Sequence, residues 1–165
     1  MQRIGGMLRY GIPDFRLPPS TLDRYAEKLL TLGIHIRPNT TIGGAISVDD
    51  LFRDGYEAIF MGTGAWRAKS LGIHGETLGN CHFAVNYLQN PDVYHLGDRV
   101  AVIGSGNSAM DVARTAIRKG SRYVTIYARR NGISASEREL EYALMDGCEI
   151  QYAKGIHSVT PEGPM

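Results

Sequence analysis

The 165-residue sequence is long enough for one domain with a real core, or for parts of two. Hydrophobic residues make up 43% and charged residues 21%, the balance of an ordinary soluble globular protein. A net charge of +1 excludes a global field that recruits nucleic acid or an anionic membrane. No run of ~20 apolar residues is present, so no membrane-spanning helix is expected. The start, Met1 to Gly6, lacks the apolar core of a signal peptide. Cys81 and Cys148 stand apart with neither a CxxC pair nor metal-ligand spacing. They read as reduced, partly buried thiols, which fits a reducing compartment, and the cytoplasm is the expected location.

In chain order, residues 1–19 read as irregular, because Gly5, Gly6, Gly11, Pro13, Pro18 and Pro19 deny them a long helix or a central strand. Ser20, with Asp23 three residues on, is placed to cap a helix. Its apolar face holds Leu22, Tyr25, Ala26, Leu29 and Leu30, and Gly33 ends it. Ile34–Ile36 reads as a short strand, 47–52 as a brief capped helix, and Tyr56–Met61 as a strand stopped by Gly62-Thr63-Gly64. Phe83, Val85, Tyr87 and Leu88 suggest one short helix, and Asn90-Pro91-Asp92 a hinge.

Beyond the hinge the pattern sharpens. Val100–Ile103 is a continuous apolar run, as expected of a strand buried on both faces. A helix is predicted over Asn107–Lys119, with Ala109, Met110, Ala113, Ala116 and Ile117 on its apolar face and Gly120 at its end. Tyr123–Tyr127 is the next strand. Ser136-Glu137-Arg138-Glu139 reads as a capping box that opens a helix ending at Gly147, and Cys148–Tyr152 reads as a further strand.

The run that carries chemistry is Val100-Ala101-Val102-Ile103-Gly104-Ser105-Gly106-Asn107-Ser108-Ala109, a G-x-G-x-x-A turn between a strand and a helix. Gly104 permits the sharp turn. Gly106 has no side chain to keep a pyrophosphate from the backbone, and Ala109 lets the helix pack close to the strand. The helix start offers unpaired backbone N–H groups and partial positive charge to the phosphates. An NAD site places an acid ~20 residues on, to hold the ribose 2′-hydroxyl. Here Tyr127-Ala128-Arg129-Arg130 stands at the end of the second strand instead. Two guanidinium groups suit a 2′-phosphate, so the expected cofactor is NADP(H).

With these residues in view, 102–114 resembles the NADPH-site motif of the glutamate synthase small-subunit-like flavoproteins, and Arg129-Arg130 is similar to that family's arginine pair. Gly5 to Pro18, with Gly11-Ile12-Pro13-Asp14-Phe15-Arg16-Leu17-Pro18 at its heart, is close to a signature of the family's flavin domain. Tyr56 to Ala65 resembles the strand and turn that run beside FAD, which implies flavin contacts at Gly62, Thr63, Gly64 and Ala65. The resemblance implies an α/β fold. A segment of FAD-binding domain over 1–92 would precede the front part of a Rossmann-like NADPH domain over 93–165, a parallel sheet with flanking helices. It also implies an NADPH-dependent FAD oxidoreductase. No second glycine-rich turn precedes Met1, and Met165 comes before the family's C-terminal Gly-Asp strand, so an internal fragment not competent for full turnover is expected. The partners implied are the remaining flavin-domain segments or a redox subunit, with a homodimer through the open sheet edge. The chain departs from the family's pattern with His74 for Pro, Pro19 for Lys, and Ile133-Ser134 for Met-Pro beside the nucleotide loop.

The cofactors carry the redox chemistry in such proteins, so no catalytic side chain is expected. The five histidines are dispersed, and His35, His74, His82, His95 and His157 read as structural or surface residues. Asp111 reads as a polar group favoured near a helix start by the macrodipole, and Glu137, Glu139 and Glu141 as members of a solvated helix. Trp66 reads as simple packing. Two rival readings are a nucleotide-binding module or sensor without turnover, and a methyltransferase. The latter wants an acid near the end of the second strand, where Arg129-Arg130 stands.

Overall fold

The computed structural model describes residues 3–165. Its core is a three-stranded parallel sheet in the order β1 (Arg99–Ile103), β2 (Tyr123–Tyr127) and β3 (Glu149–Gln151). Parallel neighbours need crossover connections. Helix α5 (Asn107–Arg118) links β1 to β2, and α6 (Glu137–Met145) links β2 to β3. This is the predicted mixed α/β architecture, and the strand–helix–strand order over 99–127 follows the apolar periodicity closely. Met110, Ala113 and Ala116 of α5 are fully buried against Val124 and Ile126 of β2, with Ala143 and Cys148 completing the core. Small residues on α5 let helix and sheet approach closely.

Residues 3–92 hold short helices joined by long irregular stretches. These are α1 (Gly6–Tyr10), α2 (Pro19–Thr31), α3 (Val48–Arg53) and α4 (Ala84–Gln89), with a 3-10 turn at Pro91–Val93 after them. The irregular stretch expected over 1–19 begins outside the described residues and is interrupted by α1. Ser47 and Asp50 form a reciprocal capping box on α3. A small antiparallel hairpin, β4 (Val159–Thr160) with β5 (Gly163–Pro164), closes the chain. It docks on residues 74–80: the Val159 amide donates to the His74 carbonyl at 2.8 Å, and Asn80 Nδ2 donates to the Thr160 carbonyl at 2.9 Å. Gly75 is required there, since a Cβ would lie 1.9 Å from the Val159 carbonyl oxygen.

Several expectations are corrected. Neither Ile34–Ile36 nor Tyr56–Met61 forms a strand; both are irregular, and Phe60 is 95% exposed. A strand exists only through pairing, and no neighbouring strand lies beside either run among the described residues. Helix α2 begins at Pro19 with Pro18 as its N-cap and no side-chain cap, so Ser20 does not serve. Asp23 binds Arg9 at 2.6 Å instead. Of the apolar face of α2 only Leu22 is buried, while Tyr25, Leu29 and Leu30 are exposed. Strand β1 is not covered on both faces: Val100 and Val102 pack into the core with α5, while Arg99, Ala101 and Ile103 on the opposite face are exposed. Among the described residues no helix is long and apolar enough to cross a membrane.

Candidate functional site

The parallel register pairs Ile103 with Tyr127, so β1 and β2 end side by side. The loops leaving the two strands therefore emerge from the same edge of the sheet, where ligands of open α/β sheets bind. After β1 comes the turn Gly104-Ser105-Gly106, and after β2 come Arg129 and Arg130. The Gly104 amide donates to the Tyr127 carbonyl at 3.1 Å and ties the two exits together. Gly104 has φ +140°, which side-chain-bearing residues rarely adopt, and a Cβ on it would face the Ala109 methyl at 3.7 Å. The glycine and the alanine thus let α5 start directly on the end of β1.

Helix α5 is capped by the Gly106 backbone without a side-chain cap. Among the described residues, the amides of Ser105, Gly106, Asn107 and Ser108 donate to no acceptor within the protein. The first acceptor bond of the helix is Ala109 N–H to the Gly106 carbonyl at 2.9 Å. Four adjacent donors and the positive end of a 12-residue helix are thus left for an anion. The turn also forms part of the wall of a cleft of about 1040 Å³, shared with Ala84 and Tyr87 of α4 and with Val112 of α5. That is the upper end of the size range of small-molecule sites, roughly 300–1,000 Å³.

Arg129 and Arg130 are exposed, and neither guanidinium forms an ion pair among the described residues. Their backbone is held: the Lys154 amide donates to the Ala128 carbonyl at 3.1 Å, and Ala128 is fully buried. Two cations on an anchored backbone with no internal carboxylate are available to an external anion. The Gly62-Thr63-Gly64-Ala65 stretch lies in an exposed irregular segment, and its Ala65 lines the same cleft as the glycine turn. There the Trp66 indole N–H donates to the Thr63 carbonyl at 2.9 Å and the ring meets Tyr10 edge-on, so Trp66 does pack locally.

Two features of the site's surroundings escaped the sequence. One is the loop 131–135, which folds back over the glycine turn: the Ser134 and Ala135 amides donate to the Ser105 carbonyl at 2.9 and 2.8 Å. Only the departure from Met-Pro at Ile133-Ser134 drew attention to that loop.

The other is an ion network on the far flank of α5. Arg16 donates to Asp111 at 2.7 Å and pairs with Glu139 at 2.9 Å. Arg114 bridges Glu139 at 3.2 Å and Asp146 at 2.9 Å. Phe15 lies against the guanidinium groups of Arg114 and Arg118, 4.7 and 4.5 Å from its ring centre. Asp111 is thus more than a polar group near the helix start: its side chain is only 4% exposed, and burial, opposed by Arg16, holds its carboxyl above the ordinary value. Glu139 is likewise buried, not solvated. Its backbone N–H donates to the Ser136 Oγ cap, but its carboxylate turns to the arginines rather than closing a capping box. Lone carboxylates in a sequence carry no sign of partners 25 or 95 residues away.

The model of the pyridine nucleotide-disulphide oxidoreductase family matches residues 34–163. The glutamate synthase [NADPH] small chain of Escherichia coli (strain K12) is 33% identical, over 90% of this chain and 35% of that protein. The NADP(+)-dependent formate dehydrogenase subunit beta of Moorella thermoacetica is 40% identical, over 77% of this chain and 19% of that one. The resemblance to glutamate synthase small subunits read from the sequence is thus found across most of the chain. The chain spans about a third of the length of the glutamate synthase small chains it matches. A solved structure of 2-naphthoyl-CoA reductase superposes with a TM-score of 0.78 at 19% identity, covering 98% of this chain and 24% of that one; it shares the fold.

Proposed function

The chain belongs to the pyridine nucleotide-disulphide oxidoreductase family, and from that premise we propose that it contributes the NADP(H) site of a flavin-dependent oxidoreductase of the glutamate synthase small-subunit kind. In this reading residues 93–165 are the front part of the NADPH domain and residues 1–92 belong to the FAD domain. The observation that carries it is the set of four undonated amides at Ser105–Ser108 beside the unpaired Arg129 and Arg130, on one sheet edge.

The residues fit the group. The amides of Ser105, Gly106, Asn107 and Ser108 receive the pyrophosphate, with Ala109 seating the helix, while Arg129 and Arg130 grip the adenosine 2′-phosphate. When bound, the nicotinamide supplies the hydride that passes to FAD. This chain's own residues bind, orient and neutralise charge; none serves as a nucleophile or general base. Gly62, Thr63, Gly64 and Ala65 are the residues proposed to lie along FAD. Their backbone is exposed and Gly64 takes φ +73°, so the segment offers main-chain groups but no charged side chain.

The test is titration of NADPH and NADH against the wild-type chain and the R129A/R130A double variant. Loss of two charged hydrogen-bonding partners weakens NADPH about 100-fold and NADH less than about threefold. Equal binding of both cofactors before and after substitution overturns the assignment. The open, strandless course of 56–65 favours a second reading, an NADP(H)-binding module without turnover. Purified protein that is yellow and bleaches with NADPH supports the first reading; colourless protein that still binds NADPH supports the second.

A further inference from the structure

We propose that Ser134, on the loop after β2, is a phosphate-binding residue that completes the pyrophosphate cradle from the side opposite α5; this rests on the NADP(H) reading above. Three observations converge on it. The loop is clamped to the turn through the Ser105 carbonyl, which accepts the amides of Ser134 and Ala135 at 2.9 and 2.8 Å. The Ser136 amide adds a bond to Asn107 Oδ1 at 3.0 Å. The Ser105 carbonyl is therefore already engaged within the protein, and the neighbouring amides stay undonated.

Second, Ser134 Oγ lies on the bare flank of Gly106: a Cβ built on that glycine would approach it at 3.7 Å. The missing side chain at Gly106 leaves the room a phosphate needs, and the Ser134 hydroxyl borders that room. Third, Ser105 Oγ and Ser134 Oγ are 3.2 Å apart. Two hydroxyls carry two protons, and the bond between them uses one. One O–H donor therefore remains at the pair, beside four backbone donors and with no carboxylate bonded to it. A hydroxyl donating to a phosphate oxygen makes a charge-assisted bond. The ligand class is the diphosphate of a dinucleotide, not its 2′-phosphate, which belongs to Arg129 and Arg130.

The test uses the full chain and four forms: wild type, Ser134→Ala, Ser134→Thr and R129A/R130A. Each is titrated with NADPH and with adenosine 2′-monophosphate, which carries the 2′-phosphate but no pyrophosphate. Ser134→Ala keeps the backbone amide bond and should weaken NADPH about tenfold, the range for a bond to a charged group. It should leave adenosine 2′-monophosphate unchanged, and Ser134→Thr should restore NADPH binding. The arginine variant should weaken both probes. If Ser134→Ala binds NADPH as wild type does, the inference falls while the NADP(H) reading stands. If it weakens both probes alike, the serine acts on the loop as a whole and the inference falls as well. If the wild-type chain binds no NADPH, the NADP(H) reading fails and takes this inference with it.

Discussion

The stretch from 99 to 151 and the stretch from 34 to 83 have similar shares of apolar residues but opposite fates. In the first, three apolar runs pair as parallel strands and bury Val102, Val124 and Ile126 beneath α5 and α6. In the second, Tyr56–Met61 is as apolar as β2, yet it stays irregular, with Phe60 and Met61 at 95% and 78% exposure. The difference is pairing, not propensity. In the first stretch a helix between successive strands returns the chain to a neighbouring register, so backbone groups and side chains are satisfied together. Among the described residues no strand lies alongside Tyr56–Met61, and an unpaired extended run gains nothing over an irregular one.

The same kind of change therefore has very different consequences in the two stretches. The largest contrast is side-chain truncation. Arg114→Ala takes one of two arginines from the buried Glu139, which keeps Arg16, and from the partly buried Asp146, which keeps Arg118, and should cost about 3 kcal/mol in urea unfolding, the lower end for a broken buried pair. Phe60→Ala, in the open stretch, should cost under about 0.5 kcal/mol. Comparable losses from the two would break the comparison.

A smaller effect is expected at Gly104, where φ is +140°. Gly104→Ala should destabilise by roughly 1–3 kcal/mol and weaken NADPH by displacing the start of α5. An alanine variant of full stability would show that the turn relaxes freely.

Acid sensitivity should trace to the ordered stretch as well. Burial raises the Asp146 carboxyl, but hydrogen bonds from Arg114 and Arg118 outweigh it and hold the group below its ordinary value of 3.8. A carboxyl lowered in the folded state stabilises fully above its unfolded value and loses that contribution as pH falls through the folded one. The drop in unfolding free energy from pH 6 to pH 3 should therefore be smaller in Asp146→Asn than in wild type. An unchanged drop would place the acid-sensitive groups elsewhere.

The mildest contrast is between the two thiols. Burial pushes Cys148 up to about 11, with Asp146 adding to the effect. Cys81, raised less by its own partial burial and by Glu76, sits in the open stretch. Iodoacetamide at pH 8 should label Cys81 first, and Cys148 only on unfolding, since the thiolate is the reactive form. Equal labelling rates in the native protein would mean that the core around Cys148 opens readily.

Much of this chain is written locally. The β1–α5–β2 unit was legible because apolar runs, the Gly104–Ala109 pattern and the small-residue face of α5 all sit within 29 consecutive residues, 99–127. The proximity of the glycine turn to Arg129 and Arg130 came from the same order, since parallel strands joined by one helix bring their C-terminal ends together. Tertiary structure alone decided which other apolar runs became strands, why most of the apolar face of α2 stays exposed, and that Asp111 and Glu139 are buried around Arg16. It also laid the Ser134 loop across the turn. Those outcomes depend on contacts between residues 25 to 95 positions apart. Pairing and burial over such separations are properties of the folded chain as a whole, and local patterning carries no record of them.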